Sequence, residues 1–470
     1  MFSSFSARSA CGRRAAGIAA VTLVSGLAVA VLSAAAGPAA ADDAAGRAQG
    51  GATATIGGLK TYGDAVVHTD AGDLELSAGL FEMSVEGGGT LQTYCVDIHN
   101  PTQRDAKYRE TPWSGTSLGA NKDAGRIRWI LQNSYPQVND LAALARQAGV
   151  RGGLTEQDAA TGTQVAIWRY SDGVDVEAVD PQAEKLADYL EDSARPTAEP
   201  EASLTLDPPA LSGHPGEKLG PVTVRTNADS VTVTPPAAAV TSGVRVVGED
   251  GKEVTTARNG SRLFLDVPAD APDGSAELTV QASTTVPVGR AFASDSRSQT
   301  QILAGSSEST VSATASATWA ETGAIPALSA AENCAEGGVD ITAVNEGDAP
   351  FTFELMGAQH TVTAGETRTV TVPLQEDQAY DFTITGPGGH EQRFTGVLDC
   401  RTQAAETDAA GTSVQSAGEP SPATVPAPED VNLAATGSSD ATPMIGGAAI
   451  GLVLIGGAAL VLVRKKKTQD

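Results

Sequence analysis

The chain has 470 residues and a formal net charge of −26, and only 4% of its residues are aromatic. An acidic excess of this size argues against nucleic acids and anionic membrane surfaces as partners, because both require clustered cations. So few aromatic side chains argue against one large core and predict several small, mainly β domains.

The N-terminus has the layout of a secretory signal peptide. Three arginines precede an apolar stretch from Ala15 to Leu32, and alanines at 39–41 precede the first acidic residues. This basic, apolar, small-residue order predicts a signal peptide over residues 1–41, cleaved after Ala41. The export route stays open between the general secretory and the twin-arginine systems.

Residues 52–195 hold most of the aromatic side chains and predict a compact α+β domain. Alternating apolar residues in its first half predict strands. Three later stretches with helical periodicity predict helices, and Thr155 with Asp158 is a capping pair for the second of them. These helices are predicted at Arg126–Asn133, Glu156–Tyr170 and Pro181–Asp192.

Two further segments have the short alternating strands and Gly, Pro and Asp turns that are typical of antiparallel sandwiches. Residues 205–320 and 325–402 therefore predict two immunoglobulin-like β-sandwich modules. Residues 403–432 are rich in Ala, Thr, Ser, Pro and Glu and have few large apolar side chains. Such a segment cannot bury enough surface to fold, which predicts a disordered linker that spans the cell wall.

The C-terminus combines a short motif with an apolar span and a basic tail. Residues 444–463 are apolar, and twenty residues in a helix measure about 30 Å, enough for a transmembrane helix. Leu-Ala-Ala-Thr-Gly at 433–437 resembles a sortase sorting signal. The resemblance implies cleavage between Thr436 and Gly437 and covalent attachment to peptidoglycan. A permanent single-pass anchor is the alternative.

The cysteine count is odd once the signal peptide, with Cys11, is removed. Cys334 and Cys400 bracket the second sandwich module, and an oxidising location favours a disulfide between them. The closed loop of about 66 residues would contribute about 4 kcal/mol to stability. Cys95 is then left without a partner.

Three ordinary interpretations of Cys95 exist. It can be a buried inert thiol, half of an intermolecular disulfide, or a nucleophile activated by His99. On a continuous strand, Cys95 and His99 would lie about 13 Å apart, which is too far for proton transfer.

A fourth interpretation comes from two motifs. Tyr94–Asp97 reads Tyr-Cys-Val-Asp, and Thr163–Trp168 reads Thr-Gln-Val-Ala-Ile-Trp. Together they resemble the thioester domain of Gram-positive surface adhesins, known for its Thr-Gln-x-Ala motif, over residues 52–195. The resemblance implies that Cys95 and Gln164 are the cross-linked pair.

A thioester of this kind forms when a cysteine sulfur attacks a glutamine carbonyl and ammonia leaves. The fold must hold sulfur near carbon, stabilise the oxyanion and exclude water, for which Tyr94 and Trp168 are candidates. The expected function is a wall-anchored adhesin that bonds covalently to amine-bearing targets, with protein lysine as the expected nucleophile. Each chain would react once, so we expect no enzyme turnover.

The competing hypothesis is a structural or non-covalent binding wall protein whose thiol is incidental. Gln164 would then be an ordinary polar residue on a helix that buries Ile167 and Trp168. The acidic stretch Asp172–Glu177 could bind calcium, but such loops are usually only solvated. We predict no metal and no cofactor, since no metal-binding or phosphate-binding motif is present.

Overall fold

The computed structural model describes residues 50–236, 243–389 and 391–402. The predicted signal peptide, wall linker, sortase motif and transmembrane helix lie outside these residues. Within them, no helix has the length and apolar character needed to cross a bilayer.

The described elements follow in chain order. The first strands and the α-helices are β1 (Thr53–Thr69), β2 (Gly72–Val85), β3 (Thr90–Cys95), β4 (Lys107–Thr111), α1 (Ala124–Asn133), α2 (Leu141–Gln147), α3 (Glu156–Ser171), β5 (Val176–Ala178) and α4 (Pro181–Ser193). The next strands are β6 (Leu204–Asp207), β7 (Ala210–Gly213), β8 (Lys218–Thr226), β9 (Val231–Thr234), β10 (Arg245–Val247), β11 (Thr256–Ala257), β12 (Arg262–Asp266), β13 (Gly274–Thr285), β14 (Ala291–Ser294), β15 (Gln301–Ser306) and β16 (Glu308–Trp319). The last are β17 (Pro326–Asn333), β18 (Gly338–Asn345), β19 (Phe351–Leu355), β20 (Ala358–Val362), β21 (Glu366–Pro373), β22 (Ala379–Thr385) and β23 (Glu391–Val397).

A seven-stranded sheet forms the first domain, in the order β2-β3-β15-β14-β4-β1-β5. Two of its central strands, β14 and β15, come from the segment that the sequence assigned to the following sandwich. That predicted boundary is therefore corrected, because residues 291–306 complete the first sheet. The long strand β13 precedes β14 in the chain, β16 follows β15, and β13 and β16 pair with each other. The chain therefore leaves the sandwich after β13 and returns to it at β16.

Helix α3 crosses this sheet and is covered by α4. Its residues from Ala159 to Trp168 are all buried, as expected for a helix whose side chains are apolar or small on every side. The capping box of Thr155 and Asp158 is confirmed. A Cβ on Gly162 would lie 2.5 Å from the Ala183 carbonyl oxygen, so the glycine permits the close approach of the two helices.

The remaining strands of the middle segment form two sheets. One has four strands, β10-β12-β8-β6, and the other five, β11-β9-β13-β16-β7. Their inward residues, such as Val222, Leu265 and Val280, are fully buried. This arrangement agrees with the predicted sandwich, while its immunoglobulin-like topology stays a prediction.

The last module has its own core, built around Phe351, Phe353 and Phe394. The predicted disulfide between Cys334 and Cys400 is confirmed, with a Cα–Cα distance of 5.1 Å. Cys334 N donates to the Ser114 carbonyl oxygen at 3.1 Å, which joins the module to the first domain.

Candidate functional site

Cys95 ends β3, which lies between β2 and β15 in the seven-stranded sheet, and is fully buried. Burial raises the pKa of its thiol to about 12, and hydrogen bonds from Gln301 and Thr102 oppose that rise. The thiol is therefore protonated at neutral pH. Any reaction of the sulfur requires that this proton move to a nearby group.

Gln164 lies beside Cys95, as the motif predicts, but its carboxamide binds the main chain. Its Oε1 accepts from Cys95 N and its Nε2 donates to Cys95 O, both at 2.9 Å. The two polar atoms of Gln164 are thus used to hold the backbone of Cys95 against α3. This geometry makes Gln164 a positioning residue and disfavours the predicted Cys95–Gln164 cross-link.

Gln301 is the residue that faces the sulfur. It is paired with Cys95 across β3 and β15, and its Nε2 lies 3.2 Å from Cys95 Sγ. Its side chain is fully buried. The Cys95–Gln164 cross-link stays a prediction, while the carboxamide in contact with the sulfur in this structure belongs to Gln301. Gln301 also follows a threonine, but Thr-Gln occurs five times in the sequence, so this dipeptide alone does not identify it.

Two threonine hydroxyls hold the Gln301 carboxamide at both ends. Thr93 Oγ1 donates to Gln301 Oε1 at 3.0 Å. Thr102 Oγ1 accepts from Gln301 Nε2 at 3.4 Å and lies 3.8 Å from Cys95 Sγ. Gln299 Nε2 donates to the same hydroxyl at 2.8 Å. The site therefore has a donor at the carbonyl oxygen and a hydroxyl between the thiol and the amide nitrogen.

Other residues from the sequence analysis surround this centre. Tyr94 and Trp168, the expected shield, are both buried, and Tyr94 OH donates to the Tyr135 carbonyl oxygen. β3 ends at Cys95, so the separation expected for His99 on a continuous strand does not apply, and among the described hydrogen bonds none joins the His99 ring to Cys95.

Three carboxyl groups from different elements lie near the site. Burial raises the pKa of Asp97, Asp172 and Asp399 to about 7. The negative charge of Asp172 adds to the rise in the pKa of Asp97, and that of Asp97 adds to the rise in the pKa of Asp399. Asp399 accepts from Thr300 Oγ1 at 2.7 Å, so the last module borders the site. Asp172, which was considered for calcium, accepts from Ile98 N instead. No group of three or more metal-ligating residues was found in the described ranges.

These carboxyl groups predict a stability that falls as pH rises. Unfolded aspartate titrates near pH 4, so between about pH 4 and 7 the native state binds more protons than the unfolded state. Asp97→Asn keeps an acceptor oxygen and removes one such charge. It should stabilise the protein at pH 8 by about 1–2 kcal/mol and give no gain at pH 4. Denaturation at both pH values checks this, with exposed Asp229→Asn as the control; equal gains at both would contradict it.

Comparisons with known proteins match two parts of this chain to family models. The family model "Thioester domain" matches residues 92–196. Residues 92–196 are therefore similar to a thioester domain. The matched residues include Cys95 and Gln164 but end before Gln301, so the assignment of Gln301 rests on the contacts described above. A second model, the C-terminal domain of bacterial phospholipase C, matches residues 321–397.

Similar solved structures include the Bacillus anthracis TIE protein, at 17% identity and a TM-score of 0.27, which covers 74% of this chain. The chain spans 64% of the length of that protein. The thioester domain of the Enterococcus faecium TIE86 protein also matches, at 17% identity and a TM-score of 0.27, over 59% of this chain and 100% of its own length. No curated protein sequence matches.

Proposed function

We propose that this protein is a surface adhesin that attaches covalently to amine-bearing targets through a thioester between Cys95 and Gln301. The observation that carries the proposal is the 3.2 Å contact between Cys95 Sγ and Gln301 Nε2 in a fully buried setting. Gln301 Nε2, which contacts the sulfur, is the leaving group. It is bonded to the carbonyl carbon that the sulfur must attack.

The groups around Cys95 and Gln301 account for every bond and proton in the formation of the thioester. Sγ attacks the Gln301 carbonyl carbon while Thr93 donates to the developing oxyanion. The thiol proton passes to the amide nitrogen, for which the Thr102 hydroxyl lies within reach of both atoms. The C–N bond then breaks and ammonia leaves. Gln164 keeps Cys95 in place throughout, because it is bonded to the main chain only.

Capture of a target repeats these steps with another nucleophile. A primary amine attacks the thioester carbonyl, the C–S bond breaks, and the amine proton returns to the sulfur. The product is an amide on Gln301 and a free thiol on Cys95. The electrophile is consumed once, so the protein acts as a single-use adhesive rather than an enzyme, and the lysine side chain is the expected protein amine.

The sequence motifs at the termini complete the proposal. A signal peptide over residues 1–41 would export the chain, and sortase would cleave between Thr436 and Gly437 and join Thr436 to peptidoglycan. The chain would then be attached to the cell wall, with the thioester domain farthest from the anchor along the sequence.

Intact-mass measurement of the purified chain tests the thioester. The proposal expects a mass one ammonia below that of the disulfide-bonded sequence, which rises by one methylamine after treatment with that amine. A chain of unmodified mass with an unreactive thiol would contradict it and favour a wall protein that binds without covalent chemistry.

Thr93→Val tests the carbonyl donor. The variant keeps the shape of the side chain and removes the hydroxyl that bonds to Gln301 Oε1. Loss of one such donor slows acyl transfer by about 10²- to 10³-fold. Methylamine capture, followed by mass against time, should slow accordingly, whereas Thr93→Ser should stay close to the native rate. Unchanged kinetics in the valine variant would remove Thr93 from the mechanism.

A further inference from the structure

The unreacted Gln301 side chain shows where a captured amine must lie. Its carboxamide has the bonding of the capture product, with hydrogen in place of the alkyl group. Gln301 Nε2 therefore marks the position of the captured nitrogen, given the proposed function. Cys95 Sγ lies 3.2 Å from this atom and Thr102 Oγ1 lies 3.4 Å from it. The thiol released on capture lies on the Cys95 side of this nitrogen. The alkyl group must therefore extend on the other side, past Thr102.

A cavity of about 180 Å³ has Thr102 in its wall. Its other lining residues are Ile56, Gly57, Gly58 and residues 103–105. Gly58 has φ +102°, a conformation that favours glycine, and no atom lies within 4 Å of the position that a Cβ would take. An apolar cavity of about 150 Å³ holds a benzene molecule, so this space suffices for a four-carbon chain.

Two polar groups match an amine, one hydrogen-bonded to Thr102 and one in the cavity wall. Gln299 is 3% exposed, and its Oε1 has no hydrogen-bond partner although its Nε2 is bonded to Thr102. A buried oxygen without a donor is costly, and an incoming amine supplies an N–H. Asp105 is an exposed carboxylate in the cavity wall, which Arg104 also lines, and its oxygens can accept hydrogen bonds from an ammonium group.

We propose that this cavity is the binding site for the alkyl chain of an unbranched primary amine, such as a lysine side chain. Thr102 forms its inner wall, Gln299 Oε1 accepts from the attacking nitrogen, and Asp105 attracts positive charge at the opening. The site selects the nucleophile before the thioester is reached, and it rests on the Cys95–Gln301 bond proposed above.

The test compares four amines on the purified full-length chain, with thioester loss followed by intact mass. Rates for methylamine, n-butylamine, tert-butylamine and 1,4-diaminobutane are divided by those for a small-molecule thioester, which removes their intrinsic reactivity. On this corrected scale, n-butylamine should exceed tert-butylamine by more than about tenfold, equivalent to about 1.4 kcal/mol.

Asp105→Asn supplies the second measurement, since the exposed side chain can be exchanged without disturbing the core. It should slow 1,4-diaminobutane about threefold relative to n-butylamine, as expected for one exposed ion pair. The matched control Asp70→Asn, in the turn between β1 and β2, should change neither rate.

The outcomes separate this inference from the function on which it rests. Equal corrected rates for straight and branched amines, with no effect of Asp105→Asn, would overturn the cavity site while methylamine capture still supports the thioester. A native chain that shows no loss of ammonia would overturn both.

Discussion

Replacing Gln301 with alanine should abolish the thioester. The variant retains Cys95 and Gln164 but lacks the carboxamide that contacts the sulfur. Intact mass should then equal that of the disulfide-bonded sequence with no ammonia lost, and labelled methylamine should not be incorporated. Cys95→Ala should give the same two results, because the bond needs both atoms.

Gln164→Ala is the matched comparison, and it separates the two assignments. Its amide holds the backbone of Cys95 through two hydrogen bonds, so its loss should lower the fraction of chains that form the bond without preventing it. Complete loss in Gln164→Ala together with full formation in Gln301→Ala would restore the pairing that the Thr-Gln-x-Ala motif suggests.

Local patterns predicted much of the fold. The three predicted helices match α1, α3 and α4 to within two residues at each end, and the start signals of α3 and α4 are encoded within those segments. The short helix α2 was missed. The disulfide was found from cysteine positions alone, since Cys334 and Cys400 bracket one module.

The site was only half predictable. Cys95 stands out as the single free cysteine of the described residues, but the carboxamide that contacts its sulfur lies 206 positions away. Alternating residues identify β15 as a strand without revealing that it pairs with β3. The hairpin formed by β14 and β15 crosses from one domain into another, and no local pattern distinguishes it from the sandwich strands beside it.

A buried cluster of charged residues holds this hairpin in place, and no sequence pattern indicated it. Glu110, at the end of β4, accepts from Arg290 Nε at 2.9 Å, and both side chains are almost wholly buried. Ser203 N also donates to Glu110 Oε1 at 2.9 Å, and Arg290 Nη1 donates to Glu199 Oε1 at 2.7 Å. The cluster thereby ties the start of the hairpin to β4 and to the connection that precedes β6.

Glu110→Ala should therefore be among the most destabilising single substitutions. It leaves the Arg290 guanidinium buried beside an empty space and removes acceptors from Ala52 N and Ser203 N. Removing one partner of a buried ion pair costs about 3–5 kcal/mol, whereas an exposed pair contributes less than about 1 kcal/mol. Chemical denaturation should show this loss for Glu110→Ala and a small one for the control Glu249→Ala, which breaks the exposed pair with Arg262.

The same substitution connects the cluster to the chemistry. Arg290 directly precedes β14, and β14 pairs with β15, whose first residue is Gln301. If the cluster sets the position of the hairpin, Glu110→Ala should lower the fraction of folded chains that have lost ammonia, as measured by intact mass. A destabilised variant that still forms the thioester completely would show that pairing of β15 with β3 is sufficient to place Gln301 against the sulfur.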